Sequence, residues 1–437
     1  MAPQSLATHP SNSFDFNHHS HRRFNPLTHS WVLCSPHRTQ RPWQGKQEDD
    51  DLSTRPSYDA SCYLCPTNIR ANGEHLQNPD YTDTYVFEND FPAVQQNQPV
   101  LFHNNSQDEN PLLQVESVRG QCHVICFSPQ HDKTLADMTE PEIIPVIDAW
   151  ISTYNAMQQQ DHINHVQIFE NKGAIMGCSN PQPHGQVWST ENIPQETAVE
   201  LENMAKYRQQ YHRCMLCDYV KTETEADKKA KAHGSTAVLP SMANGMNAAH
   251  SSLPTTGTGP LAGSDPTPPT TPTSTTFPST KTVPSSAATV SKTTPDGSRI
   301  VCENDSFICL VPFWATWPFE TMVLSRAHLA RLSDMTVVQK QDLANILRRI
   351  TCRYDNLFRC SFPYSMGVHQ APTNDDASQQ ELSHLHLHFY PPLLRSATVK
   401  KFLVGFELLG QSQRDLTPEQ AATRLADCSE THYKSAV

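Results

Sequence analysis

Four strand-like runs punctuate the first half of the chain, SWVLCSP, TYVFENDF, CHVICFSP and HVQIFE, each short, apolar or aromatic at its centre and bounded by polar residues. Short apolar runs of this length predict strands. Between them, PEIIPVIDAWISTYNAMQQ has a helical period that brings Ile144, Ile147, Trp150, Ile151 and Tyr154 to one face, with Pro141 near the start. The pattern lapses around PTPPTTPTSTTFPSTKTVPSS, where Pro, Ser and Thr dominate and large apolar groups are few. Such a segment buries too little surface to offset the entropy of ordering it.

Patterning resumes at RIVCENDSFICLVPFWATWPFETMVL, which reads as strands, followed by the amphipathic helix VVQKQDLANILRRITCRYDNLF. A strand, SHLHLHFYPP, and a short closing helix, TPEQAATRLADC, complete the chain. Each half runs strands, a helix, then a histidine-bearing stretch, so two similar α+β halves are expected. The expected divisions are a polar disordered tail at 1–22, an N-terminal half at 23–224, an insertion at 225–297 and a C-terminal half at 298–437.

Composition narrows the function classes. The 437 residues carry a net charge of −12 without a sustained Lys/Arg block, which disfavours a nucleic-acid surface but permits a local phosphate pocket. No apolar run reaches membrane-spanning length and the N-terminus lacks a hydrophobic signal core. The expectation is a soluble, cytoplasmic protein. Thirteen cysteines, an odd number, are expected to be free, packed or metal-bound. Among 22 histidines, His9, His18, His19 and His21 read as solvated residues of the tail.

Three features carry chemistry. His384, His386 and His388 alternate with Leu385 and Leu387, placing three imidazoles on one strand face as either a solvated edge or a metal site. Two Cys-x-x-Cys pairs occur, Cys62/Cys65 and Cys214/Cys217, too far apart in sequence for spacing to predict a joint Cys₄ site. The first pair, followed by Pro66, is the better metal knuckle. The second sits in a helix-like context before Asp218, where cysteines commonly pack. Walker-type and dinucleotide loops, HExxH and GxSxG are all missing from the sequence. There remains SNPQPHGQVW, in which a histidine with one nitrogen held protonated can attack phosphorus with the other. Pro183 stiffens the approach, Gly185 admits backbone N–H groups close to an anion, and Gln186 shares the strand face of His184.

These residues resemble the galactose-1-phosphate uridylyltransferase family, a branch of the histidine-triad superfamily. RRFNPLTHSWVLCSPHRTQRPWQG, FENDFPA, CFSPQHDKTL, FENKGAIMGCSNP, CRYDNLFRCSFPYSMGVHQAP, LHLHFYPPLLRSATVKKFLVGFE and QRDLTPEQAA follow in the family's order. The likeness spans Arg22 to Thr431 apart from the insertion. It implies two histidine-triad-like halves with mostly antiparallel sheets flanked by helices, and a homodimer whose active site the partner subunit completes. The implied reaction converts UDP-glucose and galactose 1-phosphate to glucose 1-phosphate and UDP-galactose.

The resemblance also implies roles. His184 is the nucleophile that accepts the uridylyl group and Gln186 steadies its phosphate, with Gly177, Cys178 and Ser179 in the same phosphate-binding turn. Arg38 and Arg41 match basic residues that the partner contributes, and Asn89, Asp90 and Asn171 match nucleotide-site residues. Lys401, Phe402, Val404, Phe406, Glu407 and Gln413 match the substrate-contacting C-terminal segment, Glu407 reading hexose hydroxyls. One metal site would use Cys62, Cys65 and His131, but its fourth position holds Gln182 in place of histidine, and an amide oxygen is a poor zinc ligand beside thiolates. Zinc binding is weakened there, while the Gln182 carbonyl still serves the tautomer of His184. A second site, Glu200, His369, His386 and His388, is complete for iron or zinc and structural, which leaves His384 a bystander. The alternatives are a histidine-triad hydrolase or phosphorylase, and a non-catalytic paralogue.

Overall fold

Thr139 and Thr336 start the two long helices in the same way. The Thr139 N–H donates to Glu142 Oε2 at 2.8 Å and the Thr336 N–H to Gln339 Oε1 at 2.8 Å, satisfying a backbone donor before each first turn. Helix α1 then runs Glu140–Gln158; its partner in the second half, named α4 below, runs Val337–Phe358. The computed structural model describes residues 14–40, 55–72, 76–99, 112–232, 295, 297–374 and 377–436. All of these lie in one unit that joins residues 1–237 to 295–437.

The first half contributes β1 (His21–Asn25), β2 (Ser30–Cys34), β3 (Tyr85–Glu88), β4 (Gly120–Cys126), α1, β5 (His165–Lys172), β6 (His184–Thr190), α2 (Gln195–Tyr211) and α3 (Met215–Ala232). The second contributes β7 (Ile300–Glu303), β8 (Phe307–Leu310), β9 (Thr321–Ser325), α4, β10 (Tyr364–His369), α5 (Ala377–Leu382) and β11 (His386–Tyr390). Then come β12 (Leu393–Ser396), β13 (Val399–Lys400), α6 (Phe406–Leu409), β14 (Gln413–Arg414) and α7 (Pro418–Ala426). Nine strands make one antiparallel sheet in the order β3-β4-β6-β5-β10-β11-β9-β8-β7, with β1-β2-β14 and β12-β13 as small sheets. The expected α+β architecture with antiparallel sheets and two alike halves is what is found.

The halves are related by the segments β4-α1-β5-β6 and β9-α4-β10-β11, which meet where β5 pairs with β10. Strand alternation assigns each face its task. Val166, Ile168, Val187, Met366, Val368, Leu387 and Phe389 point into a core shared with α1 and α4. Their neighbours His184, Gln186, His369, His386 and His388 face the opposite side. On α1 the buried face is Ile143, Val146, Ile147, Ala149, Trp150, Thr153, Tyr154 and Met157, so Ile144 and Ile151 sit at its margin, rotated from the expected stripe.

Two expected divisions shift. Paired structure begins at His21, inside the polar tail, because β1 registers against β2 with His21 opposite Cys34. Helix α3 continues to Ala232, past the expected start of the insertion, because EADKKAKA consists of helix formers. Asp227 there is buried and accepts from the Ser298 hydroxyl at 2.7 Å. Residues 233–294 lie outside the described residues, as does His9.

Candidate active site and metal centres

The turn before β6 is built on glycine. Gly173 and Gly177 have φ of +89° and +81°, bracketing the short helical turn Ala174–Met176. This turn delivers Gly177, Cys178 and Ser179 to a small cavity closed by Phe169, Asn171, His184, Gly185 and Gln186. His184 Nδ1 lies 2.7 Å from the Gln182 carbonyl oxygen, the geometry of an Nδ1–H donor. That leaves Nε2 as the nitrogen with a lone pair. Burial pushes the proton affinity of the imidazole down, against a smaller upward pull from that carbonyl, so neutral His184 is favoured.

Two amides are oriented by neighbours. Trp188 Nε1 donates to Gln186 Oε1 at 3.0 Å and the Ser365 hydroxyl donates to Asn171 Oδ1 at 2.7 Å, which leaves both amide nitrogens to donate. Cys178 Sγ donates to the Asn180 carbonyl oxygen at 2.9 Å. Gly185 also has a packing duty: a Cβ there would lie 2.8 Å from Phe127 Cζ and 2.9 Å from the Phe169 carbonyl oxygen. Packing under the strand therefore requires glycine at this position. Phe169 also lines the cavity and is not singled out by the sequence, since its place follows from strand register.

Other expected residues gather elsewhere. Arg38 Nε pairs with Asp415 Oδ1 at 3.1 Å, and Asp415 Oδ1 also accepts from Gln413 Nε2 at 2.7 Å. Lys401 Nζ bonds Glu407 and donates to Gln413 Oε1 at 3.2 Å. Phe402, Val404 and Phe406 stand exposed beside this network. Among the described residues no hydrogen bond or ion pair joins this group to His184, and Arg41 lies outside them. Asp90 is held by Arg70, whose guanidinium stacks 4.0 Å from the Phe87 ring centroid. Arg70 was not singled out from the sequence. Asn89 Oδ1 accepts from the Phe91 N–H at 2.9 Å, shaping the loop after β3.

Three groupings can hold a metal ion. In the first, Cys62, Cys65 and His131 are buried, with Cys65 Sγ 3.4 Å from His131 Nδ1. Gln182 Oε1 takes the fourth corner, 3.3 Å from Cys65 Sγ and 3.1 Å from His131 Nδ1. Its Nε2 donates to the Ser128 carbonyl at 2.6 Å, which fixes the amide oxygen inward. Burial pushes the Cys65 thiol up to about 11, a cost that a bound cation removes by favouring thiolate.

The second grouping comes from cross-strand register. His369 on β10 stands opposite His386 on β11, two register positions from Gly367 opposite His388. Glu200 reaches in from α2, with Oε2 2.7 Å from His369 Nδ1 and 3.7 Å from His386 Nε2. His388 Nε2 is 3.7 Å from Glu200 Oε1. Burial pushes the Glu200 carboxyl up, but His369 outweighs it and holds the group well below the usual range. His386 Nε2 and His388 Nε2 are buried with no hydrogen-bond partner among the described residues, although such groups are normally paired. The donor set fits a cation.

His384 is not the expected bystander, nor does it share the face of His386 and His388. It precedes β11 and turns its Nδ1 to 3.5 Å from both Cys214 Sγ and Cys217 Sγ. The two Cys-x-x-Cys pairs therefore sit in separate clusters, and the second pair does not merely pack.

Comparison with known proteins bears on the whole chain. Residues 12–194 match the family model for the N-terminal domain of galactose-1-phosphate uridyl transferase, and residues 284–437 match that for its C-terminal domain. The galactose-1-phosphate uridylyltransferase of Saccharomyces cerevisiae is 44% identical, covering 96% of this chain and 98% of its own. That of Haemophilus influenzae is 43% identical over 96% and 98% of the two chains. Among solved structures, a uridylyltransferase superposes with a TM-score of 0.60 at 21% identity, covering 93% and 97% of the chains. An ADP-glucose phosphorylase from Arabidopsis thaliana does so with 0.60 at 20%, covering 94% and 99%. These structural likenesses show the fold.

Proposed function

Because this chain belongs to the galactose-1-phosphate uridylyltransferase family, we propose that His184 carries its reaction as the covalent nucleophile. The enzyme moves a uridylyl group from UDP-glucose to galactose 1-phosphate. His184 Nε2 attacks the α-phosphorus, the bond to the bridging oxygen breaks, and glucose 1-phosphate leaves. A phosphate oxygen of galactose 1-phosphate then attacks the uridylyl-histidine, restores the imidazole and releases UDP-galactose. Both leaving and entering groups are stable anions, so neither strong acid nor strong base is required. Ping-pong kinetics follow.

The observation that carries this reading is the 2.7 Å contact from His184 Nδ1 to the Gln182 carbonyl beside the cavity. It selects the tautomer without any contribution from the Gln182 side chain. Gln186 and Asn171 present amide donors to phosphate and nucleotide, with Gly177, Cys178 and Ser179 forming the anion-facing turn. Arg38, Lys401, Glu407 and Gln413 with the exposed Phe402, Val404 and Phe406 act on the sugar phosphate of the opposite subunit in a homodimer, Arg41 joining them. Asn89 and Asp90 position the nucleotide loop. Gln182 weakens zinc binding at Cys62, Cys65 and His131, whereas Glu200, His369, His386 and His388 offer a complete set for iron or zinc. Both metals hold structure, and the transfer itself is performed at His184.

The test is incubation with UDP-glucose labelled in uracil, followed by intact mass and peptide mapping. A uridylyl group on the His184 peptide, discharged by galactose 1-phosphate, is expected. A folded His184→Gly variant that still turns over would remove the proposed nucleophile.

A further inference from the structure

The third cluster belongs to no site assigned above. We propose that Cys214, Cys217, His328 and His384 form a structural zinc site that ties the start of α3 to the C-terminal half, the counterpart of the cluster at Cys62, Cys65 and His131. Their four donor atoms lie within 4.8 Å of one another. The sulfur-to-nitrogen separations are 3.5 Å for Cys214–His384, 3.5 Å for Cys217–His384 and 3.6 Å for Cys217–His328, all through Nδ1. A tetrahedron with Zn–S of about 2.3 Å and Zn–N of about 2.0–2.1 Å requires sulfur and nitrogen about 3.6 Å apart. Three of the four sulfur–nitrogen edges already have this length.

The far side of His384 is prepared as a zinc-ligating imidazole needs. Nε2 lies 2.8 Å from the Ser325 carbonyl oxygen, so it carries the proton and Nδ1 presents its lone pair to the sulfurs. Two thiols and two imidazoles are the soft and borderline donors that favour zinc over oxygen-loving cations. Cysteines serving only as core filler bury their sulfurs among carbon atoms. Here both are half-buried, and one contacts the exposed His328.

The internal repeat supplies an independent argument. His131-Asp-Lys-Thr-Leu-Ala-Asp-Met-Thr139 after β4 and His328-Leu-Ala-Arg-Leu-Ser-Asp-Met-Thr336 after β9 share His, Leu, Asp, Met and Thr at the same offsets. His131 and His328 thus occupy equivalent places. So do Gln182 and His384, each two residues before a strand-leading histidine whose Nδ1 lies 2.7 Å from its carbonyl oxygen. Each cluster therefore combines one Cys-x-x-Cys pair, one histidine after β4 or β9, and one residue ahead of β6 or β11. The C-terminal set has histidine at the last position where the N-terminal set has Gln182, so its donor set is the more complete. Chelation would pin the start of α3, the last described element before residues 233–294, against β9 and β11. Through the His384 carbonyl it would also hold His386 in register for Glu200.

The test uses the full chain as purified. Zinc per chain is measured for the parent and for Cys217→Ser and His384→Ala, each expected to lose one equivalent. Folded variants that keep the parent's zinc overturn the proposal. Native alkylation with peptide mapping decides the matter without a variant, should either fail to fold. Cys214 and Cys217 should resist iodoacetamide until a chelator strips the metal and then label. Equal labelling before and after chelation overturns the site, and labelling only after reduction would make the pair a disulfide.

Discussion

Gly185→Ala probes the packing on which His184 rests. The new Cβ would stand 2.8 Å from Phe127 Cζ and 2.9 Å from the Phe169 carbonyl oxygen. Carbon pairs settle at about 3.5–4.0 Å, so the ring must retreat by roughly 0.7 Å or more. Phe127 is 2% exposed and packs edge-to-face on Trp150, leaving it little room. The carbonyl belongs to β5, whose Phe169 pairs with Gln186 of β6, so it moves only if the ladder opens. Overpacking of this kind costs about 1–3 kcal/mol. Displacing β6 also shifts His184 and Gln186 relative to the turn at Gly177, and misplacement by about 1 Å can cost about a hundredfold in rate. Urea denaturation and kcat/KM for uridylyl transfer measure the two effects. Adding Phe127→Leu relieves the ring but not the carbonyl, so it should recover part of the stability and little of the activity. A Gly185→Ala protein within about 0.5 kcal/mol of the parent, with unchanged transfer, would refute the reasoning, because overpacking would then be absent.

Four further outcomes are expected. Glu419 is buried between Arg23 and Arg299; burial pushes its carboxyl up, but the two guanidiniums outweigh this and lower it to about 2. Its contribution, about 3 kcal/mol, is full above the ordinary carboxyl pKa and lost as pH falls toward about 2. Glu419→Gln should flatten that acid limb in pH-dependent unfolding and destabilise the neutral protein by about 3–5 kcal/mol by stranding the arginines. Uridylylation of His184 should hold its rate as pH falls through the ordinary histidine range and decline only below it, since its pKa is lowered; a decline starting above the ordinary value would contradict this. Gln182→His should add zinc to the Cys62, Cys65 and His131 cluster without changing the reaction, read by metal analysis beside kinetics. Replacing residues 233–294 with a short Gly/Ser linker should preserve fold and transfer because loop-closure cost grows slowly with length; cutting into α3 before Ala232 should instead destabilise, through loss of the buried Asp227.

Much of this protein was readable before its fold. The long helix after Thr336 has the predicted bounds, because its amphipathic period and its cap are local properties. Strands at Ser30–Cys34 and Tyr85–Glu88 fall within the strand-like runs for the same reason, and that at His165–Lys172 extends its run, HVQIFE, by two residues. His184 stood out through its neighbours in sequence, and the carbonyl expected to hold it is only two residues away. The end of α3 was misjudged because the change in composition is gradual, whereas the buried contact that extends the helix comes from Ser298.

Local periodicity and short-range hydrogen bonding are written in consecutive residues, so the sequence by itself determined the two alike halves and pointed to the candidate nucleophile. Register and packing join residues far apart in the chain, and those only the tertiary structure decided. It placed His369 opposite His386, turned His384 away from its strand neighbours toward Cys214 and Cys217, and set Phe127 beneath Gly185. A histidine's sequence neighbours restrict its backbone, but its ligands and partners are chosen by whichever distant strand or helix the core brings within reach.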